Sequence, residues 1–105
     1  MYARQAQAMA EWNALPGFEA VEVEGIGIVI INRYDADRAA HVSLMNNEGG
    51  QGFLAVRLDA GAEGRFGSEP TIGVSGFTAD PAVVLQYARL VQWAAETVLP
   101  TLVRQ

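Results

Sequence analysis

The sequence predicts an α+β fold, with an N-terminal helix, a four- to five-stranded antiparallel sheet and a long C-terminal helix packed on one sheet face. Three observations carry this prediction. Both ends of the chain have helical composition, and the middle alternates apolar and polar residues with the period of a strand. The length of 105 residues fits a single domain, residues 1–105.

The first helix is predicted over Tyr2–Leu15, which is rich in alanine and has no internal glycine or proline. Pro16 and Gly17 then end it. On a helical wheel its apolar side is narrow and consists of Tyr2, Ala6, Met9 and Trp12. We therefore expect this helix to dock weakly.

From Phe18 the pattern changes to that of strands, first in FEAVEV and then in the β-branched run Ile26–Ile31. Gly25 and Gly27 fit either a tight hairpin at Glu24 and Gly25 or a bulge in one long strand. The hairpin is the favoured interpretation. Either way, the segment supplies the first strands of the sheet.

Three further segments complete the predicted sheet. AHVSLMN follows the polar turn YDADR and predicts a strand, although a short helix over Asp37–Asn47 is an alternative. FLAVRLD places Leu54, Val56 and Leu58 on one face and Arg57 on the other. The last strand is predicted over Thr71–Phe77.

The C-terminal helix is predicted from Pro81 to about Leu99, with Asp80 as its N-cap. Pro100 should end or kink it. Its apolar side is wide enough to cover a sheet face and consists of Val83, Val84, Tyr87, Ala88, Leu90, Val91, Ala94, Ala95 and Val98.

Composition argues against several functions. The net charge is −5, and the seven basic residues are scattered arginines, so no basic patch points to nucleic acid. No cysteine or lysine is present, which removes thiolate and lysine chemistry. No apolar run is long enough to span a membrane, and the N-terminus lacks a signal-peptide pattern, so we expect a cytoplasmic protein without membrane contact.

The run MNNEGGQGF, from Met45 to Phe53, is the segment most similar to a phosphate-binding loop. Such a loop requires a helix N-terminus after it and, in the GxxxxGK[ST] type, a lysine. Here an alternating strand follows Gly52, and no lysine exists. Asn and Gly supply the positive φ that hairpin turns require, so the run is interpreted as a hairpin connection.

His41 and Ser43 would share a strand face, and with Asp35 or Asp37 they could be assembled into a Ser-His-Asp set. No GxSxG nucleophile elbow accompanies them, so a hydrolase ranks third among the expected functions.

Glu22 and Glu24, with Asp35 and Asp37, could converge on a metal. Alternating glutamates on a solvent-facing strand are the more ordinary interpretation, because they keep a strand soluble. We expect no metal and no cofactor.

Trp93 falls among polar residues on the wheel of the last helix, so the sequence predicts that it faces outward. Either helix one or the C-terminal tail covers the indole, or it anchors a contact with another chain, where Trp and Arg are enriched. The predicted interface residues are Trp93, Arg89, Gln86 and Glu96.

The expected function is a non-catalytic protein-interaction or accessory domain, a homodimer, of the size found among phage and mobile-element proteins. Its contact surface would be the uncovered sheet face or the Trp93 side of the last helix. The alternative is a small-ligand-binding domain with a pocket between the C-terminal helix and the sheet, near Tyr87 and Phe77.

Overall fold

The computed structural model describes residues 3–36, 38–61, 70–75 and 80–103, without the side chains of Phe53, Val74, Ser75 and Val103. The elements in chain order are α1 (Ala3–Asn13), β1 (Phe18–Val23), β2 (Gly27–Tyr34), β3 (Ala39–Met45), β4 (Gln51–Asp59), β5 (Thr71–Ser75), α2 (Pro81–Trp93), a π-helical segment (Ala94–Val98) and α3 (Leu99–Val103). The predicted α+β class is confirmed.

The sheet is a simple meander in which each strand lies antiparallel to the next, in the order β1-β2-β3-β4-β5. Val23 pairs with Gly27, which confirms the hairpin at Glu24 and Gly25 rather than one bulged strand. Ala39–Met45 is a strand paired on both sides, so the alternative helix over Asp37–Asn47 is wrong.

The two faces of the sheet are covered unequally. On the face covered by the C-terminal helix, which we call the α2 face, Val29, Val42 and Leu58 pack with the buried residues of that helix. On the opposite face, which we call the α1 face, Ala8 packs with Ala20 and Ile30. Because β2 is covered on both faces, its uninterrupted apolar run is buried throughout Ile28–Ile31.

Two polar contacts anchor α1. The Asn13 side chain exchanges two hydrogen bonds with the backbone of Ala20, at 2.8 and 3.2 Å. The Trp12 indole N–H donates to the carbonyl of Gly49 at 2.9 Å. The predicted apolar side of this helix needs a correction, because Ala6 is exposed and Ala8 is buried instead.

The start of α2 is as predicted: the Asp80 carboxylate accepts from the backbone N–H of Ala82 at 3.0 Å, and Pro81 opens the helix. The end of the C-terminal helix differs from the prediction, because helical structure continues past Pro100 to Val103. The N–H of Leu99 donates to the carbonyl of Ala94, five residues back. This wide turn lies directly before Pro100, whose ring would clash with a carbonyl one ordinary turn earlier.

The wide turn also changes which residues the helix buries. Its fully buried stripe is Leu90, Ala94, Val98 and Leu102. A four-residue spacing drifts by about 40° per step on a regular α-helix, and a π turn, which holds more residues, reduces that drift. Two residues predicted for the apolar side, Val84 and Ala88, are exposed instead. Among the described residues, no helix is long and apolar enough to cross a membrane.

Candidate binding site on the sheet

Part of the α1 face is left open. The short α1 contacts β1, and no other described helix lies on this face over β3, β4 and β5. A row of residues in register crosses that area: His41 pairs with Asn32 on one side and with Arg57 on the other, and Arg57 pairs with Gly73. The area that we call the open sheet face consists of His41, Ser43, Gln51, Ala55, Arg57, Asp59 and Gly73.

A depression of about 480 Å³ lies on this face. It is lined by Asn32, His41, Ser43, Gln51, Gly52, Ala55, Arg57 and Gly73. Three of these, Gly52, Ala55 and Gly73, have no side chain beyond Cβ, and small residues between longer neighbours leave a hollow on a sheet surface. The hollow therefore follows directly from the sequence of β4 and β5.

An irregularity in the β3–β4 ladder borders the depression. Ser43 pairs with Ala55 but Met45 pairs with Gln51, so β4 contains two extra residues over this stretch and bulges. A Cβ atom added to Gly52 would lie 2.8 Å from the carbonyl oxygen of Leu44, so only glycine fits at this point. Bulges are common beside functional sites because they redirect side chains.

Ser43 is the unusual residue of the site. Its side chain is only 3% exposed, and its Oγ makes no hydrogen bond with any described residue. Buried polar groups are almost always paired, because leaving one unpaired costs free energy. Ser43 is also one of the residues that line the depression, so a bound molecule would lie beside it.

Among the described residues that line the depression, Arg57 is the only Arg, Asp or Glu. Its exposed guanidinium forms no ion pair or hydrogen bond within the described part of the chain. By contrast, Arg33 forms an ion pair with Glu19, with 3.8 Å between Nη2 and Oε1. Arg38 donates to the carbonyl of Gly61. Asp59 lies two residues along β4 on the same face, and one of its oxygens accepts from Gly61 N–H at 2.8 Å.

His41 and Ser43 lie on one face of β3, as the sequence predicts. No hydrogen bond joins them, and the His41 ring packs against Tyr34 with ring centroids 5.0 Å apart. Asp35 is exposed in the turn between β2 and β3, and Asp37 lies outside the described residues. The hydrogen bond between nucleophile and base that activates a serine is therefore not formed.

The carboxylates that were weighed for a metal site lie apart from one another where the structure describes them. Glu22 is exposed on β1, Glu24 lies in the β1–β2 turn, and Asp35 lies in the turn at the other end of β2. Over residues 3–36, 38–61, 70–75 and 80–103, no three His, Asp or Glu side chains lie close enough to hold a metal ion.

The glycine loop is built as a turn. The Asn46 side-chain oxygen accepts from the N–H groups of both Glu48 and Gly50 at 2.9 Å, and the N–H of Gly49 donates to the Asn46 carbonyl at 3.1 Å. These are the amides that a phosphate would need. They are already used within the loop.

The predicted interface residues differ in exposure. Trp93 is half-buried and packs against the core of the α2 face, so the prediction that it faces outward is wrong. Gln86 donates to the carbonyl of Ile26 at 3.3 Å, and Glu96 accepts from Gln92 at 3.2 Å. Arg89 is exposed. Contact of these residues with another chain stays a prediction.

A second cavity, of about 420 Å³, lies at the end of the sheet between Gln5 of α1 and Val83 of α2. It lies near the place predicted for a ligand pocket between helix and sheet. Tyr87, predicted to line that pocket, packs against the core and donates its hydroxyl to the carbonyl of Ala55. Phe77 lies outside the described residues.

Comparison of the chain with family models, with curated proteins and with solved structures found no match.

Proposed function

We propose that this chain is a non-catalytic protein-contact domain that forms a homodimer through the open sheet face. The observation that carries the proposal is the arrangement of Arg57 and Asp59, which have opposite charges and lie two residues apart on one face of β4. Arg57 has no acidic partner among the described residues of its own chain, so a second chain can supply one.

Two copies stacked face to face can satisfy both charges at once. A twofold axis that crosses β4 at right angles beside residue 58 puts Arg57 of one copy opposite Asp59 of the other, and the reverse. Such a contact is self-complementary, as an isologous interface must be. The sequence predicts either the uncovered sheet face or the Trp93 side of the last helix as the contact surface, and the packing of Trp93 on the core favours the sheet face.

The two ion pairs would set the register of the dimer and contribute to its affinity. Coupling energies of close interfacial charge pairs reach about 1.5 kcal/mol or more, which is about tenfold in the dissociation constant for each pair. The net charge of −5 on each copy opposes association. We therefore expect a weak dimer that requires high protein concentration.

Charge reversal with sedimentation equilibrium tests this proposal. Arg57→Glu and Asp59→Arg each turn both pairs into like-charge contacts and should weaken the dimer more than tenfold. The double variant restores opposite charges in swapped positions and should recover dimerisation. Arg89→Glu makes the same charge change on α2 and should leave the dimer intact. Thermal melting checks that each variant is folded, because Asp59→Arg also removes the hydrogen bond from Gly61 N–H.

Two results would contradict the proposal. One is a wild-type protein that sediments as a monomer at every concentration. The other is a double variant that is no better than the single variants, because recovery requires direct contact between the two charges. Disruption by Arg89→Glu instead would assign the interface to the α2 side, where Trp93 and Arg89 were predicted to act.

The absence of a His41–Ser43 hydrogen bond supports the non-catalytic part of the proposal. A hydrolase using these two residues would require both side chains to move toward each other.

A further inference from the structure

We infer that the depression on the open sheet face binds a small monocarboxylate, whose carboxylate pairs with Arg57 and accepts a hydrogen bond from Ser43 Oγ. This inference does not rest on homodimer formation, and the two events would compete because both use Arg57. It rests on a buried hydroxyl and a guanidinium on the same face, neither of which has a partner among the described residues, and on a hollow beside both.

The Ser43 hydroxyl is the proposed hydrogen-bond donor to the ligand. Ser43 is only 3% exposed, so its hydroxyl has lost its contact with water, and it has gained no described partner in return. Because Ser43 lines the depression, an acceptor atom bound there could accept a hydrogen bond from this hydroxyl once the hydroxyl turns toward it. Alanine would fit the same strand position without that cost, so the hydroxyl is the group that needs a functional explanation.

Arg57 provides the charge. It lies directly opposite His41 and is therefore diagonal to Ser43 across the β3–β4 pair. Diagonal neighbours on one sheet face are within reach of a long side chain. The planar guanidinium matches the two oxygens of a carboxylate, and among the described residues no Asp or Glu lines the depression to compete for it.

The size and composition of the hollow indicate the ligand class. A volume of about 480 Å³ is in the range of small-molecule sites. One fixed positive charge with a neutral hydroxyl suits a monoanion better than a phosphate dianion. Asn32, on the far side of His41, offers an amide to a polar group at the other end of the ligand.

An NMR titration of amide shifts tests the inference, with acetate, benzoate and inorganic phosphate as probes and chloride as the ionic-strength control. Acetate and benzoate should shift the amide signals of Ser43, Arg57 and Gly73. Arg57→Gln should weaken binding more than tenfold, and Ser43→Ala should weaken it by about tenfold, as expected for a hydrogen bond to a charged group. Arg89→Gln, the matched control on α2, should bind like the wild type.

A second measurement uses the free protein. Ser43→Ala should raise the melting temperature without ligand, because it removes a buried hydroxyl that has no partner. The same variant should lose the stabilisation that benzoate gives to the wild type. A lowered melting temperature would mean that the hydroxyl is bonded within the protein, which would overturn the inference.

The titration can also fail outright. Absence of shifts at millimolar carboxylate, equal shifts in Arg57→Gln, or tighter binding of phosphate than of either carboxylate would each contradict the assignment. The dimer is tested separately, because the Arg57→Glu, Asp59→Arg double variant should dimerise and yet bind no carboxylate. Ser43→Ala should also dimerise, since Ser43 is not one of the paired charges, and it should bind carboxylate about tenfold more weakly.

Discussion

Gly49 has a packing function that its neighbours in the sequence do not reveal. Its φ is +91°, and a Cβ atom added to it would lie 2.7 Å from the Cβ of Ala8 in α1. Its carbonyl accepts the hydrogen bond from Trp12. The glycine loop therefore forms the surface on which α1 docks, and the lack of a side chain at this position lets the helix approach.

We predict that Gly49→Ala costs more stability than Gly25→Ala. Both residues have positive φ, which costs alanine about 1 kcal/mol relative to glycine, but a Cβ at Gly25 meets nothing within 4 Å. Gly49→Ala should add about 1–3 kcal/mol for displacing α1. Urea unfolding of the two variants isolates this difference. Equal losses would mean that α1 does not pack on Gly49.

We also predict that the loop from Asn46 to Gly52 binds no phosphate. Its amides at Glu48, Gly49 and Gly50 are already bonded to Asn46, and the chain has no lysine. Calorimetry with inorganic phosphate and with a nucleotide should detect no heat assigned to this loop. Micromolar binding that is lost when Gly49 and Gly50 are changed would show that the prediction is wrong.

At the scale of elements, most boundaries could be predicted because their signals are local. The cap at Asp80, the proline after it and the alternation of β4 are each encoded within a few residues. The orientation of Trp93 could not be predicted in this way. Trp93 lies only about 60° from the buried Leu90 on a helical wheel, at the border between the apolar and polar sides, and the wheel does not show how far the core extends toward that border.

The candidate site was only partly predictable, for a related reason. The sequence singles out Ser43 and His41 and places them on one face, which follows from the period of a strand. It does not show that the hydroxyl lacks a partner or that the short α1 leaves this face open. Both depend on contacts between residues distant in sequence, such as that of Trp12 with Gly49.

The capped start of α2 gives a prediction at this scale. Asp80→Ala should lower the free energy of unfolding by about 1 kcal/mol, because the N–H of Ala82 loses its acceptor. Asp80→Ser is the matched control, since its hydroxyl can still accept, and it should lose less. A urea midpoint in Asp80→Ala equal to that of the wild type would contradict the role of this cap.

Trp93 gives a second prediction for the same helix. Because its indole packs against the core, Trp93→Ala should lower monomer stability by about 2 kcal/mol, less than a fully buried aromatic residue would lose. Leu85→Ala, which truncates a side chain that is 54% exposed, should cost little. Melting and sedimentation distinguish the outcomes. A weakened dimer with unchanged melting would support the interface at Trp93 that the sequence suggested.

The whole molecule is a sheet with helices of unequal length on its two faces. The C-terminal helical stretch runs from Pro81 to Val103, whereas α1 runs only from Ala3 to Asn13. The shorter helix leaves the open sheet face accessible. On an acidic chain of net charge −5, this area includes Arg57, which has no ion pair within the described part of the chain. The proposed dimer uses Arg57 together with the opposite charge of Asp59, and the proposed carboxylate site uses Arg57.

The most direct test of the open sheet face as the contact surface is a dilution series followed by NMR, which needs no substitution. As the wild-type dimer dissociates, the amide signals that move should belong to β3, β4 and β5 around His41, Arg57 and Gly73, and those of α2 around Arg89 should stay fixed. Movement centred on α2, or no movement over the whole concentration range, would contradict the account.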